Sequence, residues 1–329
     1  MKLESVRDLK ASLMKPAITF AGRPVAMAAR AMAARPVEDV DPVQRAVALG
    51  VAPRGRNDFR LAVRVQSRAI ETGGELDAIR ARARGEVDVR YVGRVVKRAK
   101  NMRKRHRPLI AGSSIGHYAI TAGTLGCFVE TASGAVRILS NNHVLANENL
   151  GKAGDAIIQP GELDGGRRRT DTVGKLGRFV RLKKTGKNLV DCALASLADD
   201  IDFDASALDG IGRLAGVAAD PVDIGDRVAK VGRTTGATRG RVTAFELDNL
   251  VVGFDLGNLR FDDQIEIEGA GTKAFSQGGD SGSIIVDGDR HAVALLFAGS
   301  DQGGRNGQGL TFANPIDTVL KALKVDLLT

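Results

Sequence analysis

The stretch Gln277-Gly278-Gly279-Asp280-Ser281-Gly282 sets a serine in a run whose residues all favour turns. Glycines on both sides let the backbone approach a bound carbonyl with no Cβ in the way. In a site for acyl transfer, the amides of Gly279 and Ser281 would donate to the oxygen that turns negative in a tetrahedral intermediate. Each such donor is worth about 2.7–4 kcal/mol. By itself Gly-Asp-Ser-Gly is equally an ordinary surface turn, so the partners of Ser281 decide between the two readings.

Two other segments supply those partners. In Arg137-Ile138-Leu139-Ser140-Asn141-Asn142-His143-Val144-Leu145 an apolar strand runs straight into a histidine flanked by small polar residues. In Leu189-Val190-Asp191-Cys192-Ala193-Leu194-Ala195 a lone carboxylate sits inside a hydrophobic run, where burial costs several kcal/mol unless the group is paired. An imidazole N–H from His143 would satisfy Asp191 and fix the tautomer that leaves the other ring nitrogen free to take the Ser281 proton. Each residue alone also has a structural reading, as a satisfied strand-end histidine or an aspartate capping a turn.

The three occur in the order His143, Asp191, Ser281. With that order and spacing, Asn-Asn-His-Val, Val-Asp-Cys-Ala-Leu and Gly-Asp-Ser-Gly resemble the chymotrypsin-like (trypsin-fold) serine proteases; subtilisin-type and α/β-hydrolase enzymes place the same roles in other orders. Val231-Gly232-Arg233-Thr234-Thr235-Gly236-Ala237-Thr238-Arg239-Gly240-Arg241-Val242 resembles the second-barrel hairpin of bacterial members such as the α-lytic and Streptomyces proteases. Ser114-Ile115-Gly116-His117, Thr121-Ala122-Gly123-Thr124-Leu125-Gly126 and Leu139 through Asn147 are similar to the bacterial and plant NARROW LEAF-type trypsin-like peptidases. The likeness runs from about Pro108 to the C-terminus.

This resemblance implies a mainly β fold of two packed six-stranded antiparallel β-barrels; residue patterning adds a C-terminal helix and a small α/β N-terminal domain before the barrels. It implies a serine endopeptidase acting on protein or peptide substrates through an acyl-enzyme, with catalytic His143, Asp191 and Ser281 and an oxyanion hole from Gly279 and Ser281. It also implies that Phe275 floors the primary substrate pocket, and that Phe297, Ala298 and Gly299 form its wall. An apolar or small substrate side chain is then expected, since trypsin-like enzymes carry an aspartate at the Phe275 position. Ile110-Ala111-Gly112 resembles the start of mature trypsin-fold enzymes, so cleavage before Ile110 would free an amine able to pair with Asp280. One departure is that Gly282 is followed by Ser283 and Ile284 rather than by glycine and proline, a difference that touches local backbone geometry more than chemistry.

The chain has 329 residues, 43% hydrophobic and 26% charged, enough for two to three units with full cores. Charge divides sharply: residues 1–108 hold 25 Lys+Arg against 11 Asp+Glu, and residues 109–329 hold 23 against 28. Lys97, Arg98, Lys100, Arg103, Lys104, Arg105 and Arg107 mark a linker at 97–108, solvated or in contact with an acidic partner. Without tryptophan and with only two tyrosines there is little to stack on single-stranded nucleic acid, so nucleic acid is not the expected partner. The competing readings are a catalytically inactive trypsin-fold binding module, and nucleic-acid or acidic-partner binding through the basic N-terminal third; regulation of the barrels by that third is also open.

The two cysteines, Cys127 and Cys192, read as buried small hydrophobes in a reducing compartment, although a bridge between them stays open. No apolar run is long enough to span a membrane, and Lys15, Arg23 and Arg30 interrupt any secretory core. A cytoplasmic protein without cofactor or metal is expected, since the four histidines are widely separated and no His-Glu-x-x-His or paired-cysteine site occurs.

Residues 1–108 read as a basic α/β region: an amphipathic helix over Glu4–Met14, strands near Phe59–Val65 and Val87–Val96, a helix near Glu75–Arg84, and an alanine and methionine cluster at 26–34. From Gly123 short strand-like runs recur, predicting a first barrel over about 109–205 and a second over about 215–313 within a 109–329 domain. Asn314 as N-cap and Pro315 at the first helical position predict a closing helix over 314–324, with Ile316, Val319, Leu320 and Leu323 on one face.

Overall fold

The computed structural model describes residues 1–21, 47–65, 68–71, 74–92 and 101–329. The alanine and methionine cluster at 26–34, residues 97–100 of the expected linker and residues 93–96 of the expected second strand lie outside them. The chain divides into two compact units, Met1–Arg98 and Ala99–Thr329.

In the first unit, strand Asp58–Val65 lies between an antiparallel neighbour, Val47–Gly55, and a parallel one, Val87–Tyr91. Leu61, Val63 and Val65 alternate onto one face, as a period-two pattern requires. There they pack with Val6 and Leu13 of helix Leu3–Ala21 and Leu76 and Ile79 of helix Gly74–Arg82.

The second unit is mainly β, a closed six-strand barrel beside a curled half-barrel sheet, with a C-terminal helix. One sheet runs Val325–Leu327, Cys127–Thr131, Val136–Ser140, Ala193–Ser196, Thr172–Phe179, Ala156–Ile158, Ser114–His117 and Gly123–Thr124. The other contains Ile284–Val286, Arg227–Gly232, Gly236–Leu247, Gln264–Gly269, Leu310–Pro315 and His291–Gly299, and pairing of the last two closes six strands into a barrel. Each sheet has its own apolar interior, Ile115, Phe128, Ile138 and Ile157 in the first and Val242, Ile267, Ile285 and Ala313 in the second.

A third cluster joins them. Cys127, Val129, Leu139, Cys192 and Leu194 of the first sheet meet Val231, Ile284, Val286 and Leu295 of the second, together with Ile316, Val319, Leu320 and Leu323. The helix that supplies those last four runs Ile316–Leu323, with Pro315 as its N-cap. The expected start is therefore displaced. Asn314 ends a strand and turns its carboxamide inward, donating to Gln264 Oε1 at 2.6 Å and accepting from the Asp191 amide at 2.9 Å. Both cysteines are free and buried, and burial pushes the Cys127 thiol up to about 12. No helix among the described residues is long and apolar enough to cross a membrane.

Leu139 is fully buried where the two sheets meet. Leu139→Ala is expected to lower the unfolding free energy by about 2–5 kcal/mol, read from the urea transition of the full chain.

Candidate active site

His143 sits on the single helical turn Asn142–Leu145, entered directly from strand Val136–Ser140. Asp191 precedes strand Ala193–Ser196, which pairs antiparallel with Val136–Ser140 so that Ala193 lies opposite Ser140. This register carries the two side chains to the same end of the sheet. His143 Nδ1 lies 2.5 Å from Asp191 Oδ2, and the His143 amide donates to Asp191 Oδ1 at 3.3 Å.

Further bonds secure the aspartate backbone. Asn141 Nδ2 donates to its carbonyl at 2.7 Å, and its amide donates to Asn314 from the closed barrel. With the Asp191 side chain fully buried, its carboxylate assigns Nδ1 as the protonated nitrogen and leaves Nε2 to accept. Burial of the ring works against its protonation, but the Asp191 charge and hydrogen bond outweigh it, with a smaller push from the Glu148 charge. The net effect raises the His143 pKa above its ordinary value.

Ser281 comes from the turn before strand Ile284–Val286 of the closed barrel. Its carbonyl accepts from the Thr124 amide at 2.8 Å, which ties the turn to the first sheet. The fit there is close. Gly282 is at φ +95°, and a Cβ on it would lie 2.2 Å from Ser140 Oγ and 2.3 Å from the Thr124 carbonyl. Since Ser140 ends the strand that leads into His143, the serine turn is docked against the segment that presents the histidine. The amides of Gly279 and Ser281 donate to no acceptor among the described residues. Ser281 Oγ makes a long hydrogen bond of 3.5 Å to the Phe297 carbonyl and none to the His143 ring.

Asp280, between those two amides, is fully buried. Its carboxylate accepts from Lys230 Nζ at 3.0 Å, from the amides of Thr234, Thr235 and Gln277 at 2.8, 3.1 and 3.0 Å, and from Thr235 Oγ1 at 2.7 Å. Burial lowers the Lys230 pKa from its ordinary value, with Asp280 opposing that shift. In the intact chain the cation that meets Asp280 is Lys230. Ile110 itself is buried in a short strand paired with Phe203–Asp204. Sequence reasoning missed Lys230, although a lysine inside the apolar strand Arg227–Gly232 calls for a buried carboxylate partner.

The expected pocket residues separate. Phe275 is 1% exposed and packs in the closed-barrel core with Val242, Ile267 and Ile285. Its ring is engaged in that core rather than open to solvent. Phe297 belongs to a different cluster with Leu182, Leu259 and Phe261, flanked by Ala298. Gly299 is exposed at the strand end beside it.

A row of rings then leads to the histidine: Phe297 to Phe261 at 4.7 Å, Phe261 to Phe254 at 5.9 Å and Phe254 edge-on to His143 at 5.9 Å. Phe254 and Phe261 come from the hairpin Leu250–Phe254 and Gly257–Phe261, not anticipated from sequence. The Glu148 carboxylate accepts from the Asp255 and Leu256 amides at 3.2 and 2.8 Å and holds the hairpin tip to the first sheet. Among the described residues no group of three or more His, Cys, Asp or Glu side chains is positioned to hold a metal ion.

Residues 168–317 match the family described as the Nal1 C-terminal domain. The rice protein NARROW LEAF 1 is 28% identical over 220 residues, which are 59% of this chain and 37% of that protein; the chain thus spans little more than a third of that relative's length. Among solved structures, Cellulomonas bogoriensis chymotrypsin is similar at 20% identity, over 67% of this chain and 98% of that one, with a TM-score of 0.46. An alpha-lytic protease homolog, N4, is similar at 23% identity over 67% and 99%, with a TM-score of 0.47. A glutamic acid specific serine protease is similar at 20% identity over 67% and 100%, with a TM-score of 0.48.

Removing Lys230 leaves a buried charge without its counter-ion. Lys230→Met is expected to cost about 3–5 kcal/mol of stability, measured by chemical denaturation against the wild type.

Proposed function

We propose that the 99–329 unit is a serine endopeptidase. The observation that supports this best is the buried carboxylate 2.5 Å from His143 Nδ1, with the glycine-flanked Ser281 turn docked on the strand that presents the histidine. In this reading Ser281 Oγ attacks the scissile carbonyl carbon while His143 Nε2 takes the hydroxyl proton and then delivers it to the leaving amine. Water then attacks the acyl carbon as His143 takes its proton, and the acyl–Ser281 bond breaks as His143 returns that proton to Ser281 Oγ, releasing the acid. Asp191 orients the ring and stabilises the imidazolium. The free amides of Gly279 and Ser281 serve the oxyanion. The ring of Phe254, edge-on to His143, favours an apolar substrate side chain beside the histidine.

One observation favours a second reading, a trypsin-fold module that binds peptides without cleaving them. Ser281 Oγ faces the Phe297 carbonyl and makes no hydrogen bond to His143. Catalytic hydrogen bonds are often loose in unliganded enzymes and tighten around substrate, which keeps the peptidase reading open to test.

Reaction with a fluorophosphonate decides between them. The wild-type chain, intact across Leu109–Ile110, is expected to be labelled at Ser281 and to cleave members of a peptide library, with both signals absent in Ser281→Ala. Folded wild type that takes no label belongs to the binding reading.

The pH profile follows from the raised His143 pKa. The base must be neutral, and Asp191 favours the protonated ring. The acid limb of kcat/KM is therefore expected to have its midpoint above the ordinary histidine value of about 6.5, measured with a neutral peptide substrate.

A further inference from the structure

Two carbonyls of the serine turn are held by threonine hydroxyls. Thr124 Oγ1 donates to the Gly279 carbonyl at 2.8 Å, and Thr234 Oγ1 donates to the Gly278 carbonyl at 2.7 Å. The Gly278–Gly279 peptide is trans, because the only cis bonds among the described residues precede Pro108 and Pro160. In a trans peptide the C=O and N–H point to opposite sides. Holding the Gly278 carbonyl on the Thr234 side therefore turns the Gly279 N–H away from Thr234, to the side where no protein acceptor meets it.

Thr234 is itself braced. Arg233 Nη1 donates to Thr234 Oγ1 at 3.2 Å, so the hydroxyl is directed to spend its own proton on Gly278. The same guanidinium forms a two-pronged pair with Asp164, Nε to Oδ2 at 2.5 Å and Nη2 to Oδ1 at 2.8 Å, with both side chains 6% exposed. Asp164 closes the short helix Glu162–Asp164 in the unit's other sheet region, far along the chain from the turn. The Arg233 amide donates to Thr124 Oγ1 at 3.1 Å, so one residue steers both threonines. The fit leaves no room for a side chain at 279: a Cβ there would lie 2.5 Å from Arg233 Nη1 and 2.8 Å from Thr234 Oγ1, at a φ of +91°.

We propose that Asp164, Arg233 and Thr234 form a positioning relay that sets the Gly278–Gly279 peptide in the orientation needed to offer the Gly279 amide to the oxyanion. The inference rests on the peptidase reading above and deepens it. Thr234 touches no reacting atom. It fixes the donor that does, so its loss affects the transition state more than the bound substrate. With Thr234 silent, the peptide gains a second orientation, its carbonyl turned into the space the oxyanion requires.

The test uses Thr234→Val, Thr234→Ala and Thr234→Ser in the full chain, with peptide kinetics, fluorophosphonate labelling, thermal melting and inhibition by a peptide boronate that mimics the tetrahedral state. Val and Ala are expected to lower kcat at least ten-fold with KM within two-fold, and to weaken boronate binding by the same factor as kcat/KM. Ser restores both, because it returns the hydroxyl. Unchanged kcat and boronate affinity in folded Val and Ala variants that still label at Ser281 would overturn the relay alone. Wild type that neither labels nor turns over peptide would overturn the peptidase reading beneath it.

Discussion

The buried Asp280 carboxylate is the constraint on which the rest of the candidate site depends. It lies in the chain between the two unoccupied amides and one residue before Ser281, with no access to solvent. A charge in that position is tolerable only with a counter-ion and a full set of donors. Lys230 supplies the first, and three backbone amides and the Thr235 hydroxyl supply the second. Backbone arrangements of residues 277–281 that miss these donors leave a charge stranded in the interior, so Asp280 anchors the turn at Gln277 and at its own position. The ion pair belongs to the folded chain as it stands and asks nothing of a new terminus.

The same turn is gripped from the other sheet. Thr124 bonds both the Ser281 carbonyl, through its amide, and the Gly279 carbonyl, through its hydroxyl. Gly126 and Gly282 allow the two backbones to meet, since a Cβ on Gly126 would fall 2.5 Å from the Gly282 carbonyl. On the opposite flank Asn314, from the closed barrel, holds the Asp191 amide of the first sheet. The histidine, the aspartate and the serine thus sit on one seam because each sheet bonds the backbone segment that carries the other's functional group.

How much of this was legible depended on whether the signal was local. His143, Asp191 and Ser281 stood out because each is a polar residue in a context that does not need it: a histidine at a strand end, a carboxylate in an apolar run, a serine among glycines. The repeated short strands gave the mainly β architecture for a similar reason, since period-two patterning is written within each strand. Partners distant in sequence were not legible. Lys230 reads as the one odd residue in a strand until Asp280, 50 positions on, is beside it. Asn314 before a proline satisfies the local rule for a helix cap, and tertiary hydrogen bonds to Gln264 and Asp191 override it. Phe275 fits a pocket floor by position relative to Ser281, yet its ring is drawn into the barrel core. The hairpin that brings Phe254 to His143 has no unusual sequence, and its placement comes from distant partners, Glu148 at its tip and Asn188 with the Phe297 cluster along Gly257–Phe261.

A crystal structure of the chain after reaction with a peptidyl phosphonate tests the central claim most directly. Phosphorus is expected to be bonded to Ser281 Oγ, with one phosphonyl oxygen within hydrogen-bond distance of both the Gly279 and Ser281 amides and the Asp280–Lys230 pair unmoved. An unreacted Ser281 in folded protein, or an adduct whose oxygen meets neither amide, would contradict it.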